Sequence, residues 1–215
     1  MPPSDGFEAL QSILDEGADI NGRDQAGHTP LMRAVGGSAK AADKKRLVRA
    51  FLKAGADVTL RDPQGRSALD LAVFEGSLPL IRMLAGKGAG PDARDDEGRT
   101  ALMKLNQTNS KVYKVVTLMV ELGADPNAQC NRGRTPMMAA ALSADHLGMS
   151  CFALQAVNAR VDVKDNAGKT VVELCEVGNR SMLRMLHRNL AEQTGAENQM
   201  PDRGKPDAGG YLPPG

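Results

Sequence analysis

The stretch GADINGRDQAGHTPLMRA, residues 17–34, decides how the rest of the chain is read, because close versions of it return four times. They are GADVTLRDPQGRSALDLA from Gly55, GAGPDARDDEGRTALMKL from Gly88, GADPNAQCNRGRTPMMAA from Gly123 and NARVDVKDNAGKTVVELC from Asn158. Each copy has a Gly-Ala-Asp-like start, a second Gly ten residues on, and a Thr or Ser two residues after that. Each feature has a local physical reason. Gly17, Gly55, Gly88 and Gly123 follow amphipathic segments and suit the left-handed conformation that ends a helix. Asn158 takes that place in the last copy, and Asn is the next most tolerant residue there. The segments RDQAG, RDPQG, RDDEG, QCNRG and KDNAG read as tight turns. Thr29, Ser67, Thr100, Thr135 and Thr170 then stand where an N-cap hydroxyl is wanted. Pro30 and Pro136 follow at the first helical position, where a missing N–H costs nothing.

The cap residues are spaced by 38, 33, 35 and 35 residues. A short helix is expected after each cap, then a longer one; in the second copy the pair is Ala68–Glu75 and about Leu78–Gly86. The second helices carry apolar residues at helical spacing, as in Leu47, Val48, Phe51 and Leu52, so each is expected to bury one face. Leu71 and Leu84 are expected in the core. No single copy can bury its face alone, but stacked neighbours can. With TPLM and TPMM opening apolar runs at this period, the chain resembles the ankyrin repeat family. The resemblance implies an all-α solenoid of about five repeats with projecting β-turn loops and a one-helix N-terminal cap. Where the family usually has His, fourth in its TPLH tetrapeptide, this chain has Met32, Asp70, Met103, Met138 and Glu173.

The expected organisation is a short arm at 1–5, a repeat domain at 6–192 and a disordered tail at 193–215, the tail being rich in Gly and Pro. The first helix, from Phe7 after the capping-box pattern Asp5-Gly6-Phe7-Glu8, is either a one-helix cap or the cut end of a longer protein. NRSMLRMLHRNLAEQ, with Arg180, Arg184 and Arg188 among apolar residues, reads as a closing helix.

Composition narrows the function. There is no Trp, with two Tyr and four Phe, so the core is built from aliphatic side chains and Met. The net charge is +1, which points to neither nucleic acid nor a membrane surface. No signal peptide or membrane span is visible, and Cys130, Cys151 and Cys175 have neither disulfide-framework nor metal-type spacing. A cytoplasmic, monomeric protein is expected. His28, His146 and His187 form no pair at metal-ligand spacing. No nucleophile motif or P-loop is present, so neither catalysis nor a cofactor nor a metal is expected. Cys175 takes a small buried position of the repeat. Cys130 replaces the usual turn Asp, and both a plain turn role and a redox or modification role stay open. Lys40, Lys44, Lys45, Arg46, Arg49 and Lys53 are opposed only by Asp43; they read as a solvated face, or as a site for an acidic partner or nucleic acid.

The resemblance implies that another protein binds the concave face formed by turn tips and first helices. Carried over by position, that face holds Arg23, Gln25 and His28; Arg61, Gln64, Arg66, Phe74 and Glu75; Arg94, Glu97, Arg99 and Gln107; Gln129, Arg132, Arg134 and Leu142; and Lys164, Asn166 and Lys169. Phe74 and Leu142 are apolar at outward positions, which is explained either by local packing or by a partner. Gly36 and Gly37 should leave space beside Phe74, with Arg66 and Arg99 projecting on the same side. The implied role is a non-catalytic interaction module that scaffolds or inhibits a partner; the alternatives are a regulatory segment of a larger enzyme, or binding through the basic stripe of Lys40–Lys53.

Overall fold

A computed structural model describes residues 17–105, 111–142 and 149–175, together with residues 186 and 188. Within them the helices are α1 Pro30–Gly36, α2 Ala41–Lys53, α3 Ala68–Glu75, α4 Leu78–Ala85, a 3-10 helix Ala101–Lys104, α5 Val112–Glu121, α6 Pro136–Leu142, α7 Met149–Ala156 and α8 Val171–Leu174. The first helices stack in the order α1, α3, the 3-10 helix, α6, α8, and the second helices stack as α2, α4, α5, α7. This is an all-α solenoid of helix pairs. Among the described residues the only strand-like feature is an isolated antiparallel bridge, Arg61 with Ser67, closing one turn.

The punctuation expected from sequence is present. Gly17, Gly55, Gly88 and Gly123 have φ between 88° and 95°, and Asn158 is the one non-glycine with positive φ among the described residues, at 59°. Thr29, Ser67, Thr135 and Thr170 accept hydrogen bonds from the backbone N–H groups of Met32, Asp70, Met138 and Glu173. Asp70 and Glu173 answer back to the cap N–H and complete capping boxes. Thr100 makes no such cap bond, and its segment forms only a four-residue 3-10 helix before Leu105 turns extended. The expectation of a full first helix therefore fails in the third repeat.

The core is one continuous cluster running from Leu31 and Val35 through Leu69, Ile81, Leu84, Leu102, Met119 and Met137 to Leu154, Val171 and Leu186. Two core assignments are corrected. Leu47 is 39% exposed, adjacent to Val48 in the chain but off the helix face buried by Val48 and Leu52. Leu71 is half-buried and lines a surface pocket. Among the described residues no helix is long and apolar enough to cross a membrane. The proposed cap helix near Phe7, the tail, Gln107, His146 and His187 lie outside the described residues.

Candidate binding face

The turns set the geometry of the concave face. In the second turn Asp62 Oδ1 accepts from the N–H groups of Gln64 and Arg66, and Oδ2 accepts from Arg66 Nε at 2.7 Å. The third turn repeats this with Asp95, Glu97 and Arg99, the last bond being 3.0 Å. Burial pushes the Asp95 carboxyl up, but the backbone and guanidinium bonds from Arg99 and the charge of Lys104 hold it below the usual range. Asp62 is likewise pushed up by burial and pulled further down by its bonds to Arg66.

Further side chains brace the turns, and Arg23, Arg94 and Gln129 also stitch one repeat to the next. Arg23 Nη1 donates to Gly27 O and Arg61 O. Arg94 Nη1 donates to Gly98 O and Gln129 O, and Gln129 Nε2 to Gly133 O and Lys164 O. Arg61 Nη1 donates to Gly65 O and lies 3.5 Å from Asp70. These candidates for partner contact thus hold the turn array together. His28 stands between Asp24 and Asp62, its ring nitrogens 3.8 and 3.6 Å from their carboxylates. At the tips, Asn131 Nδ2 donates to Asp96 O and Asn166 Nδ2 to Asn131 O.

The missing family His has a replacement in the second repeat. Asp70 is buried, bonded to Ser67, and 3.3 Å from Lys104 Nζ, which is also 3.2 Å from Asp95. One ammonium therefore joins the second and third repeats through two buried carboxylates. Sequence reading missed Lys104 because no pattern within a repeat signals a cation supplied by the next one. Met32 and Met138 instead fill their places as buried apolar residues.

Two pockets open on this face. The first, about 290 Å³, is lined by His28, Met32, Arg33, Gly36, Gly37, Arg66, Leu71, Phe74 and Glu75. The second, about 280 Å³, is lined by Glu97, Arg99, Met103, Cys130, Arg132, Arg134, Ala139 and Leu142. Phe74 and Leu142 are each the seventh residue after a cap, and each lies three residues beyond another lining residue, Leu71 or Ala139. They are 52% and 45% exposed. The space expected beside Phe74 is there, with Arg66 at its edge; Arg99 lies in the second pocket instead. Gln25, Gln64 and Glu97 are exposed at turn tips. Glu75 is engaged by Lys44 Nζ at 2.6 Å, so it is anchored and Lys44 is drawn out of the basic stripe. Lys45, Arg49 and Lys53 remain exposed along α2.

Family comparison agrees with this architecture. A family model described as ankyrin repeats matches residues 4–95, 38–130 and 72–165. The chain belongs to the ankyrin repeat family. Its ankyrin relatives include mouse ankyrin repeat domain-containing protein 63, 42% identical over 84 residues, which is 39% of this chain and 21% of that protein. Mouse B-cell lymphoma 3 protein homolog is 35% identical over 97 residues, 45% of this chain and 20% of its own. The E3 ubiquitin-protein ligase KEG of Arabidopsis thaliana is 35% identical over 98 residues, 44% of this chain and 6% of that protein. The chain thus spans about a fifth of the length of the first two relatives. Ankyrin repeats are in general protein-interaction modules.

The cysteines divide by burial. Cys151 and Cys175 are buried, and burial pushes the Cys175 thiol up to about 11, which keeps it protonated. Cys130 is half-buried and lines the second pocket. Among the described residues no group of three or more His, Cys, Asp or Glu side chains is placed to hold a metal ion.

Proposed function

We propose that the chain is a non-catalytic protein-binding module, a scaffold or inhibitor of a partner protein, that works through its concave face and turn tips. One observation carries this reading. Phe74 and Leu142 occupy equivalent positions two repeats apart, both are exposed, and each borders an open pocket edged by arginine. Aromatic and arginine side chains beside a pocket are the usual anchors of interfaces. Arg66, Arg99, Arg132 and Arg134 supply the polar contacts, with Gln25, Gln64 and Glu97 at the rim. Arg23 and Arg94 contribute by holding neighbouring turns in register, and Arg61 by bracing its own turn. The repeat domain at 6–192, the arm at 1–5, the tail at 193–215, a monomeric state and a cytoplasmic location belong to the same proposal. A photo-crosslinking residue in place of Phe74 or Leu142 should capture a partner in the native cell, whereas the same residue in place of exposed Tyr113 on α5 should not. Capture from Tyr113 alone would move the binding surface to the second helices.

A second reading, the regulatory segment of a larger enzyme, is favoured by the small share of each relative that the chain matches, the ligase included. The length of the native reading frame separates the two. The alternative of binding through the Lys40–Lys53 stripe is weakened by the diversion of Lys44 to Glu75.

A further inference from the structure

We infer that the partner segment is acidic, and that the pocket at Leu142 takes a carboxylate placed beside a bulky apolar side chain. The inference rests on the concave face being the binding surface. In the second and third turns the arginine before the cap is held by a carboxylate of its own turn, Asp62 on Arg66 at 2.7 Å and Asp95 on Arg99 at 3.0 Å. In the fourth turn that carboxylate is replaced by the uncharged Cys130. Among the described residues Arg134 then meets only Asp165 of the following turn, with Nε 3.8 Å from Oδ2 and making no hydrogen bond, while 34% of its side chain is exposed. Arg132 is exposed and forms no ion pair among the described residues. The pocket they share has Met103, Ala139 and Leu142 as its apolar surface and Glu97 as its one acidic lining residue against three arginines. Glu97 is itself 3.4 Å from Arg99. Arg134, without a carboxylate from its own turn, and Arg132 beside it, next to an apolar surface, suit a carboxylate from outside, since such bonds are charge-assisted and directional.

The first pocket differs in kind. Its cations Arg33 and Arg66 are already paired with Asp24 and Asp62, and Glu75 with Lys44, so it offers apolar surface with little spare charge. One segment can reach both. The second and fourth repeats are two stacking steps apart, at about 8–10 Å per step. An extended chain covers that in roughly six residues. The occupant is therefore an extended stretch of another protein with an apolar residue for the Phe74 pocket and, about six residues away, an acidic-apolar pair for the Leu142 pocket.

The test is selection from a displayed library of random peptides of about 16 residues against the whole chain, followed by anisotropy titrations of the enriched peptides. They should carry Asp or Glu beside Leu, Met or Phe. Cys130→Asp, which returns the carboxylate to the turn, should weaken them about tenfold without lowering the melting temperature, while Cys130→Ser stays within about twofold. Enriched peptides that fail on Phe74→Ala and Leu142→Ala but show no acidic excess would overturn the inference and leave the binding face standing. Peptides indifferent to both alanine variants would overturn both readings. Unchanged binding by Cys130→Asp, recovery of no peptide, or tighter binding of a single-stranded oligonucleotide than of the acidic peptides would each overturn the inference.

Discussion

The third and fourth turns have the same backbone and opposite chemistry. In the third, Asp95 N–H donates to Arg99 O at 3.1 Å and Gly98 N–H to Asp95 O at 2.8 Å; in the fourth, Cys130 N–H donates to Arg134 O at 3.0 Å and Gly133 N–H to Cys130 O at 2.8 Å. The hairpin therefore does not need the carboxylate. What differs is the arginine: bonded to its own turn's carboxylate at 3.0 Å in the third, and 3.8 Å from Asp165 of the next turn in the fourth. Backbone and glycine hold the shape of the turn, and under the proposed reading the side chain at this one position sets whether the turn is open to a partner.

The largest expected effect tests whether backbone alone holds both turns. A Cβ at Gly133 would lie 2.7 Å from the Asn166 backbone nitrogen, and one at Gly98 would lie 2.9 Å from that of Asn131. Both glycines also have φ near 72°. Strain of about 1–2 kcal/mol from the left-handed backbone and about 1–3 from overpacking add. Gly133→Ala and Gly98→Ala should each cost about 2–5 kcal/mol in urea denaturation. Gly123→Ala, with no atom within 4 Å of the added Cβ, should cost only the strain. Equal losses at Gly123 and Gly133 would show that the tips do not pack as described.

Exchanging the distinguishing residues comes next. Asp95→Cys should cost about 1–3 kcal/mol, because Lys104 loses one of its two buried carboxylates. Cys130→Asp should gain about 0.5–1.5 kcal/mol by rebuilding bonds to the Arg132 and Arg134 N–H groups. Losses of the same size at both sites would mean that the fourth turn does not tolerate the carboxylate.

Acid should reveal the same difference. The folded values of Asp62 and Asp95 are depressed below the unfolded value of about 3.9. Such groups stabilise fully above the unfolded value and lose that contribution as pH falls through the folded one. Stability should thus fall below about pH 4, and Asp95→Asn, weaker at neutral pH, should decline less steeply. An identical acid slope in Asp95→Asn would remove Asp95 from the account.

The smallest expected effect is local. The fifth repeat has Val171 where the first and fourth have Pro, and its first helix spans only Val171–Leu174. Amide exchange there should be faster than in α3 and α4. Protection of 162–175 exceeding that of 68–85 would contradict this.

Much of this architecture is legible in the sequence because its signals are local. Caps, turn glycines and the left-handed Asn158 depend on a few neighbouring residues, and the helix pair at Ala68–Glu75 and Leu78–Ala85 follows from them. The exposure of Phe74 and Leu142 is legible too, since the seventh residue after a cap falls on a fixed side of a short helix. What is hidden is the part set by the next repeat. Asp70 with Lys104, Arg94 with the Gln129 carbonyl and Leu71 at the pocket edge each depend on a residue about 30 or more positions away or on an open surface. The 3-10 helix of the third repeat is hidden for the opposite reason: the family pattern predicts a helix that its own residues do not sustain.

The most direct test compares affinity with stability for Phe74→Ala, using Leu84→Ala as the core reference. Leu84 is fully buried and its truncation should cost about 2–5 kcal/mol of folding stability. Phe74→Ala should weaken partner binding by about 1–3 kcal/mol while lowering stability far less. A thermal loss matching that of Leu84→Ala with affinity unchanged would contradict the account, and would make Phe74 a packing residue instead of a contact.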